Sequence, residues 1–518
     1  MDAPILTTLQ SVFRLALPEV VLVAAACIVF LGGAFHPRKA TWCWVTLAAF
    51  AGAGYALFAH RPDVTSLVPS VSALWTDHLA MFTGVTAIFG GIILLLASWD
   101  ELPEEWAAEY AGCLLILSAG VGLIGAANEL ITLFLALEMV SIPTYVLLYL
   151  PRTGRPVQES AVKYFLLSIF SSALLLFGFS YLYGISGTTN LPAIHEALSH
   201  GDAFPISPLV LVAAVLVIAG LGFRITAVPF HFYAPDVYEG AANGPAALLA
   251  FAPKVAGFVA LIRLLGLAGP PAYGGSVMPN VLVSSTQLPL LLWILAAITM
   301  TVGNIVALWQ DDAKRLLAYS GIAHSGYMLI GLAVAPFQLL HADVAGGALA
   351  AMLFYLLAYG AMTIGAFSVL QAVSTRDRQV SKIDDLAGLN ATHPTLALVM
   401  TLFLFSLIGI PLTGGFTGKL MLFFSALSAQ AESHGTLLKV LALIAAINSA
   451  IGAYYYLRIV GVMYLRTAIK PLAGRPSIYG VAALSACAAL VIWLGCYPPR
   501  VFEFTRQAAL PVVATAIP

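Results

Sequence analysis

Charge is what this chain lacks. Of its 518 residues, only 9% are Asp, Glu, Lys or Arg, against roughly 25% in an average soluble domain. The 23 Lys+Arg and 24 Asp+Glu leave a formal net charge of −1. A soluble surface needs roughly a quarter to a third of its positions charged, so a water-soluble globular enzyme and a disordered chain are both excluded. The near-zero net charge gives no pull toward DNA or RNA, which excludes a nucleic-acid partner. Cysteine is scarce as well. Cys27, Cys43, Cys113, Cys487 and Cys496 are scattered, with no C-x-x-C pair. Iron–sulfur or zinc ligation is therefore not expected, and small buried thiols are. There is no G-x-x-x-x-G-K nucleotide loop. Only Arg14 precedes the first apolar run, so a cleaved signal peptide is not expected.

What the chain has is apolar length, with 61% hydrophobic residues. A hydrocarbon core needs roughly 20 apolar residues per helix. Apolar stretches near 18–35, 42–59, 78–98, 109–127, 129–150, 158–184, 207–228, 245–268, 288–309, 316–335, 345–372, 394–427, 437–465 and 476–497 give fourteen spans. The runs are continuous rather than alternating, which excludes a β-barrel. Connections are short, so 1–518 reads as one all-α polytopic membrane domain in a lipid bilayer.

Lys and Arg in short loops set orientation. Loops after odd-numbered spans hold twelve: Arg38, Lys39, Arg152, Arg155, Lys314, Arg315, Arg376, Arg378, Lys382, Arg466, Lys470 and Arg475. Loops after even spans, with both termini, hold five: Arg14, Arg61, Lys439, Arg500 and Arg506. The bias predicts odd loops in the cytoplasm and both termini outside.

Six basic residues remain inside the apolar runs: Lys163, Arg224, Lys254, Arg263, Lys419 and Arg458. Arg263 and Arg458 lie a few residues from span ends and are expected to snorkel to the interface. A charge deep in a helix costs about 2.5–3.5 kcal/mol on insertion scales, so it persists only if paired or wetted. Glu138, in LFLALEMVSIP, lies about nine residues into span 5, or roughly 13 Å at 1.5 Å per residue. Lys254 lies at similar depth in span 8. Lys163 opens span 6, Arg224 sits just before a proline in span 7, and Lys419 follows a Pro-Gly break in span 12. His231 and His324 share this apolar neighbourhood. Static ion pairs that lock the bundle are one reading of the set. An ion pathway is the other, and charges in series favour it. A single histidine can equally well bond a carbonyl. Glu19 follows Pro18 and reads as a helix-end carboxylate favoured by the dipole.

Two spans carry internal breaks. Span 7 breaks at Val228-Pro229 and resumes as HFYAPDVYEG; span 12 breaks at GIPLTGG. Non-helical backbone at membrane depth survives only where protein or water satisfies it. The breaks are five spans apart, and an odd-numbered repeat must be inverted in the membrane. The expected units are three helices in 1–108, a first five-helix repeat in 109–268, a second inverted one in 288–465, and a helix and tail in 476–518. Paired broken helices in an inverted repeat are a transporter pattern. Span 10 has nothing to match Glu138.

The runs ALEMVSIPTYVL, ESAVKYFLLSIFSSALLLFGFSYLYGISGTTNL, ITAVPFHFYAPDVYEGA, GNIVALWQDDAKRLLAYSGIAHSGYMLIGL, GIPLTGGFTGKLMLF and NSAIGAYYYLRIV resemble the proton-translocating, antiporter-like membrane subunits of respiratory complex I, the NADH-quinone oxidoreductase. The resemblance covers spans 4 to 13. It implies a translocase subunit in the membrane arm, in a bacterial inner membrane with periplasmic termini. It implies that NAD, FMN, iron–sulfur clusters and quinone belong to other subunits, leaving this chain no cofactor and no metal. It implies a neighbouring antiporter-like subunit M and small subunits J and K as partners. The family's buried glutamate falls on Glu138, its span 6 cation on Lys163, and its lysines of spans 8 and 12 on Lys254 and Lys419. Its span 7 lysine falls on Arg224, a departure with chemical content. A desolvated lysine can release a proton, whereas arginine stays charged. The expectation is that Arg224 is a fixed cation biasing Glu138, with Lys254, His324 and Lys419 carrying transferable protons and His231 and Arg458 in secondary roles. A subunit of a multisubunit cation/proton antiporter, which shares the fold, is the alternative; a passive scaffold is the third.

Overall fold

The computed structural model describes residues 12–59, 72–150, 154–199, 208–267, 287–339, 347–375, 380–429, 435–467, 472 and 474–510. Of the seventeen basic residues that set the expected orientation, Arg61, Arg152, Arg376, Arg378 and Lys470 lie outside the described residues. So do the edges of expected spans at 207, 268 and 345–346, and the outermost residues of the units 1–108 and 476–518.

Among the described residues every expected span forms helix, interrupted at the two breaks. The order is α1 Leu17–Phe35, α2 Lys39–Ala59, α3 His78–Ser98, α4 Ala107–Ala126, α5 Leu130–Tyr149, α6 Arg155–Ser186, α7 Leu191–Ser199, α8 Pro208–Arg224, α9 Ala234–Gly240 and α10 Asn243–Leu264. Then come α11 Gln287–Ala307, α12 Ala313–Leu339, α13 Gly347–Val373, α14 Leu389–Thr392, α15 Pro394–Ile408, α16 Gly414–Ser428, α17 Gly435–Leu465, α18 Ile478–Cys496 and α19 Pro499–Ala509. Span 7 is α8 plus α9, and span 12 is α15 plus α16, so both breaks stand where the proline and glycine residues placed them. The short helices α7, α14 and α19 fall outside the expected spans. Among the described residues β-structure is limited to isolated bridges such as Leu74 with Ala127.

Lipid tails are as apolar as leucine, so helix association in a bilayer rests on close packing and interhelical hydrogen bonds. Glycine supplies the close packing here. A Cβ on Gly303 of α11 would stand 2.5 Å from the Ala323 nitrogen of α12, so these two backbones touch. The result is a bundle with a protein-filled centre. Every residue of α10 is buried, and 94% of the most apolar stretch of both α12 and α13 is buried. α10 packs against α3, α4, α5, α8 and α13, making it a wall shared by both halves. By contrast α1, α6 and α17 turn apolar side chains such as Leu31, Phe170 and Leu443 outward.

Candidate functional site

The first cluster forms where α8 stops. Arg224 is the last residue of α8, and its side chain is 3% exposed. Its Nη2 donates to Glu138 Oε1 of α5 at 3.0 Å, and its Nη1 donates to the Leu137 carbonyl at 3.1 Å and to the Ser141 hydroxyl. Ser172 of α6 donates to the same Glu138 oxygen at 2.6 Å. A buried charge pair holds only when its remaining donors and acceptors are satisfied, and three helices converge to do that. The guanidinium Nε alone has no partner among the described residues. Tyr164, Phe223 and Tyr233 wall the cluster, with Phe223 and Tyr233 stacked at 4.1 Å.

Past Arg224 the chain closes the helix. The Thr226 N–H donates to Phe223 O at 3.0 Å and the Ala227 N–H to Gly222 O at 2.8 Å. This bond pair is a Schellman closure, whose left-handed residue is usually glycine. Here it is Thr226, with φ +57°. The second break follows the same plan with glycine. Gly409 has φ +94°, and the Ile410 N–H donates to Phe405 O at 3.0 Å. Among the described residues the two non-glycine positions with positive φ are Thr226 and Leu412, one in each break. A left-handed L-residue costs about 1–2 kcal/mol, so both breaks hold strained backbone.

The second cluster is centred on His324 of α12. Lys254 of α10, 1% exposed, donates to the Gly321 carbonyl and to Tyr359 Oη at 3.4 Å. Its ammonium lies 4.8 Å from the Tyr359 ring centre. The ring of His324 is 5.3 Å from that of Tyr359. Its Nδ1 is 2.5 Å from the Tyr355 hydroxyl, and its Nε2 is 3.0 Å from that of Tyr456. Lys419 of α16 donates to Leu407 O at 2.8 Å, to Ile408 O at 3.0 Å and to Ser449 Oγ at 3.1 Å, so it caps the open end of α15. Its ammonium stands 4.8 Å from the ring of Tyr327, and that ring is 5.7 Å from His324. Among the described residues neither lysine has a carboxylate partner. Carbonyl dipoles and ring faces hold both.

Sequence reasoning missed this tyrosine shell. Tyr355 and Tyr359 are spaced i,i+4 on α13, His324 and Tyr327 are i,i+3 on α12, and Tyr456 sits in a run of three. A tyrosine in an apolar run reads as core. The available signal was the helical spacing, which puts each pair on one face.

Other expected residues lie elsewhere. Lys163 does not join the buried row: its side chain is 41% exposed and pairs with Glu159 at 2.6 Å and Asp236 at 3.1 Å. Arg315 reaches the same Asp236 at 2.7 Å. Arg458 pairs with Asp311 and donates to Gln310 O at 3.2 Å, at the end of α17 where snorkelling was expected. His231 sits within the first break, its Nδ1 buried and without a partner among the described residues. Arg263 corrects its expectation. It is 4% exposed and makes a bidentate pair with Asp77 at 2.6 and 2.7 Å, with a further bond to Gly125 O at 2.9 Å. It turns inward because Asp77, the cap of α3, waits there. Glu19 does fall in the first turn of α1, where it borders a cavity of about 240 Å³ with Arg14, Asp77 and His78. Among the described residues no three His, Cys, Asp or Glu side chains are grouped to hold a metal.

Comparison with known proteins supplies the context. The family model described as NADH:quinone oxidoreductase/Mrp antiporter, TM, matches residues 127–445. NADH-quinone oxidoreductase subunit N of Trichlorobacter lovleyi is 36% identical over 520 residues, covering 98% of this chain and 99% of that protein. NADH-quinone oxidoreductase subunit N 1 of Sorangium cellulosum is 38% identical over 445 residues, 84% of this chain and 83% of that one. A chain of respiratory complex I from Thermus thermophilus superposes with a TM-score of 0.75 at 28% identity, over 94% of this chain and 98% of its own. A chain of the Mrp complex from Dietzia shares the fold with a TM-score of 0.79 at 20% identity, over 96% and 97%.

Proposed function

The chain belongs to the family of NADH-quinone oxidoreductase subunit N, and on that premise we propose that its buried file of titratable side chains carries the protons. As a membrane-arm subunit it translocates protons while other subunits pass electrons from NADH to quinone. One observation supports the route above all: Lys254 and His324, on the enclosed helices α10 and α12, and the buried Lys419 of α16 are joined by tyrosine rings and hydroxyls.

Glu138 and Arg224 are the control element. They lie at an edge rather than in the centre. The exposed residues Ile131, Leu135, Ile142 and Tyr149 of α5 follow helical spacing through Glu138, and the Glu138 side chain is 22% exposed. A neighbouring subunit that covers this stripe can act on Glu138 directly. With Glu138 engaged, Arg224 is neutralised and the Lys254 ammonium persists. When a charge change in the neighbour draws Glu138 away, Arg224 is left an uncompensated cation beside the helix that bears Lys254. Repulsion between the two cations drives the Lys254 proton through the His324 and tyrosine cluster to Lys419, once Lys419 has released its own proton toward the exit side. Arg224 keeps its own proton throughout. Spans 4–8 and 9–13 act as inverted copies, with a break in each. Lys163 serves the rim with Asp236 and Arg315, and both termini face the periplasm of a bacterial inner membrane. Subunits M, J and K are the neighbours, and the redox groups lie in the rest of the complex.

The test is Lys254→Ala and Lys419→Ala, each in the assembled complex in vesicles. Fewer protons per NADH, with uncoupled electron transfer retained, supports the route; an unchanged ratio makes the chain a scaffold. The second reading, a cation/proton antiporter subunit, rests on the fold shared with Mrp. It requires sodium–proton exchange without a redox donor.

A further inference from the structure

Thr226 occupies a position that glycine would fill without strain. A Schellman closure needs a left-handed residue, Gly409 provides it in the second break, and a β-branched residue is the poorest choice for it. Strain kept against an easy alternative points to a use for the side chain. The Thr226 hydroxyl donates to the Ile225 carbonyl at 2.7 Å and lies 3.5 Å from the Ser325 hydroxyl of α12. Ser325 in turn donates to the Gly321 carbonyl at 3.1 Å. That carbonyl is the one that takes the Lys254 ammonium.

We propose that Thr226 and Ser325 are positioning residues that carry the state of the Glu138–Arg224 pair to Lys254. The Thr226 hydrogen is committed to Ile225 O, so its oxygen can only accept from Ser325. Ser325 has a single hydrogen to divide between Thr226 and Gly321 O. Thr226 lies two residues beyond Arg224, in the closure that ends the same helix, so a shift of Arg224 on losing Glu138 is passed to it. With the pair intact, the Ser325 hydrogen is divided between Gly321 O at 3.1 Å and the longer Thr226 contact at 3.5 Å, and the Gly321 carbonyl takes the ammonium as well. Withdrawal of Thr226 commits the Ser325 hydrogen to Gly321 O, which then holds the ammonium less well and favours its loss of a proton. Glycine at 321 leaves room for this contact, since a Cβ there would lie 3.0 Å from Lys254 Nζ and 2.7 Å from Tyr359 Oη. The relay rests on the route proposed above and adds the part that times it.

The experiment compares Thr226→Gly, Thr226→Ser and Ser325→Ala with Lys254→Ala, each in the assembled complex in vesicles. It reads protons per NADH, uncoupled NADH:quinone turnover, and the pH profile of pumping. Thr226→Gly relieves the strain and keeps the closure, so a purely structural role predicts parental or better pumping. The relay predicts that Thr226→Gly and Ser325→Ala pump as few protons per NADH as Lys254→Ala, with turnover within twofold of the parent and a shifted pH profile. Thr226→Ser restores the parental ratio. Parental pumping by Thr226→Gly and Ser325→Ala, with Lys254→Ala deficient, overturns the relay and leaves the route standing. Failure of Thr226→Ser alongside Thr226→Gly also overturns it, because shape rather than the hydroxyl is then at work. Parental pumping by Lys254→Ala overturns the route itself. Ser325→Ala, a near-isosteric change within a regular helix, decides the matter if the Thr226 variants do not assemble.

Discussion

Arg224 is the side chain whose chemistry is least replaceable. Its guanidinium makes directed bonds to Glu138, Ser141 and Leu137 O at once, which a lysine ammonium cannot do in a plane. If its role is that of a fixed cation, Arg224→Lys pumps at a reduced rate and Arg224→Gln does not pump. Parental proton flux from both variants removes the cation from the account. Gly321 gives a second prediction at this scale. Gly321→Ala places a methyl group 2.7 Å from Tyr359 Oη and 3.0 Å from Lys254 Nζ, so it should displace the ammonium and cut pumping as Lys254→Ala does, with the complex still assembled on a native gel. The ionisable members of the site were legible because charge in an apolar run stands out. The tyrosines were not, because a phenol pays little for burial and looks like packing until its hydroxyl is seen beside His324.

Between residues and bundle, helix ends do most of the work. α8 ends on Arg224, α15 ends on carbonyls that Lys419 caps, and α3 begins on Asp77, which holds Arg263. Proline and glycine announced the first two ends, so both breaks were readable. The third was hidden, because Asp77 lies in a loop far from Arg263 in sequence and only the fold joins α3 to α10. The buried Asp77–Arg263 pair carries its own prediction. Removing one partner strands a charge, so Asp77→Asn or Arg263→Gln should each cost about 3–5 kcal/mol, whereas a well-packed apolar double replacement recovers most of it. Thermal unfolding of the purified complex followed by loss of this subunit measures the difference. Equal loss from single and double replacements would show that the pair contributes only shape.

For the whole molecule, apolar length alone located the helices, because a bilayer imposes one dimension on each of them. Among the described residues twelve of the fourteen expected spans are long and apolar enough to cross, and the two broken ones, at Pro208–Arg224 and Pro394–Ile408, are shorter. Which of them are central did not follow. α10, α12 and α13 are no more apolar than α1, yet they are the ones that protein surrounds on all sides. Burial there lets the Gly321 carbonyl and the Tyr359 ring hold the Lys254 ammonium away from lipid, and the edge position of Glu138 leaves the bundle open to a neighbour's influence. The most direct measurement is proton translocation by the Glu138→Gln complex in reconstituted vesicles, with electron transfer followed in parallel. A neutral amide cannot hold or release Arg224 as a carboxylate does, so the account predicts fewer protons per NADH while quinone reduction continues. A parental ratio in that variant would contradict it.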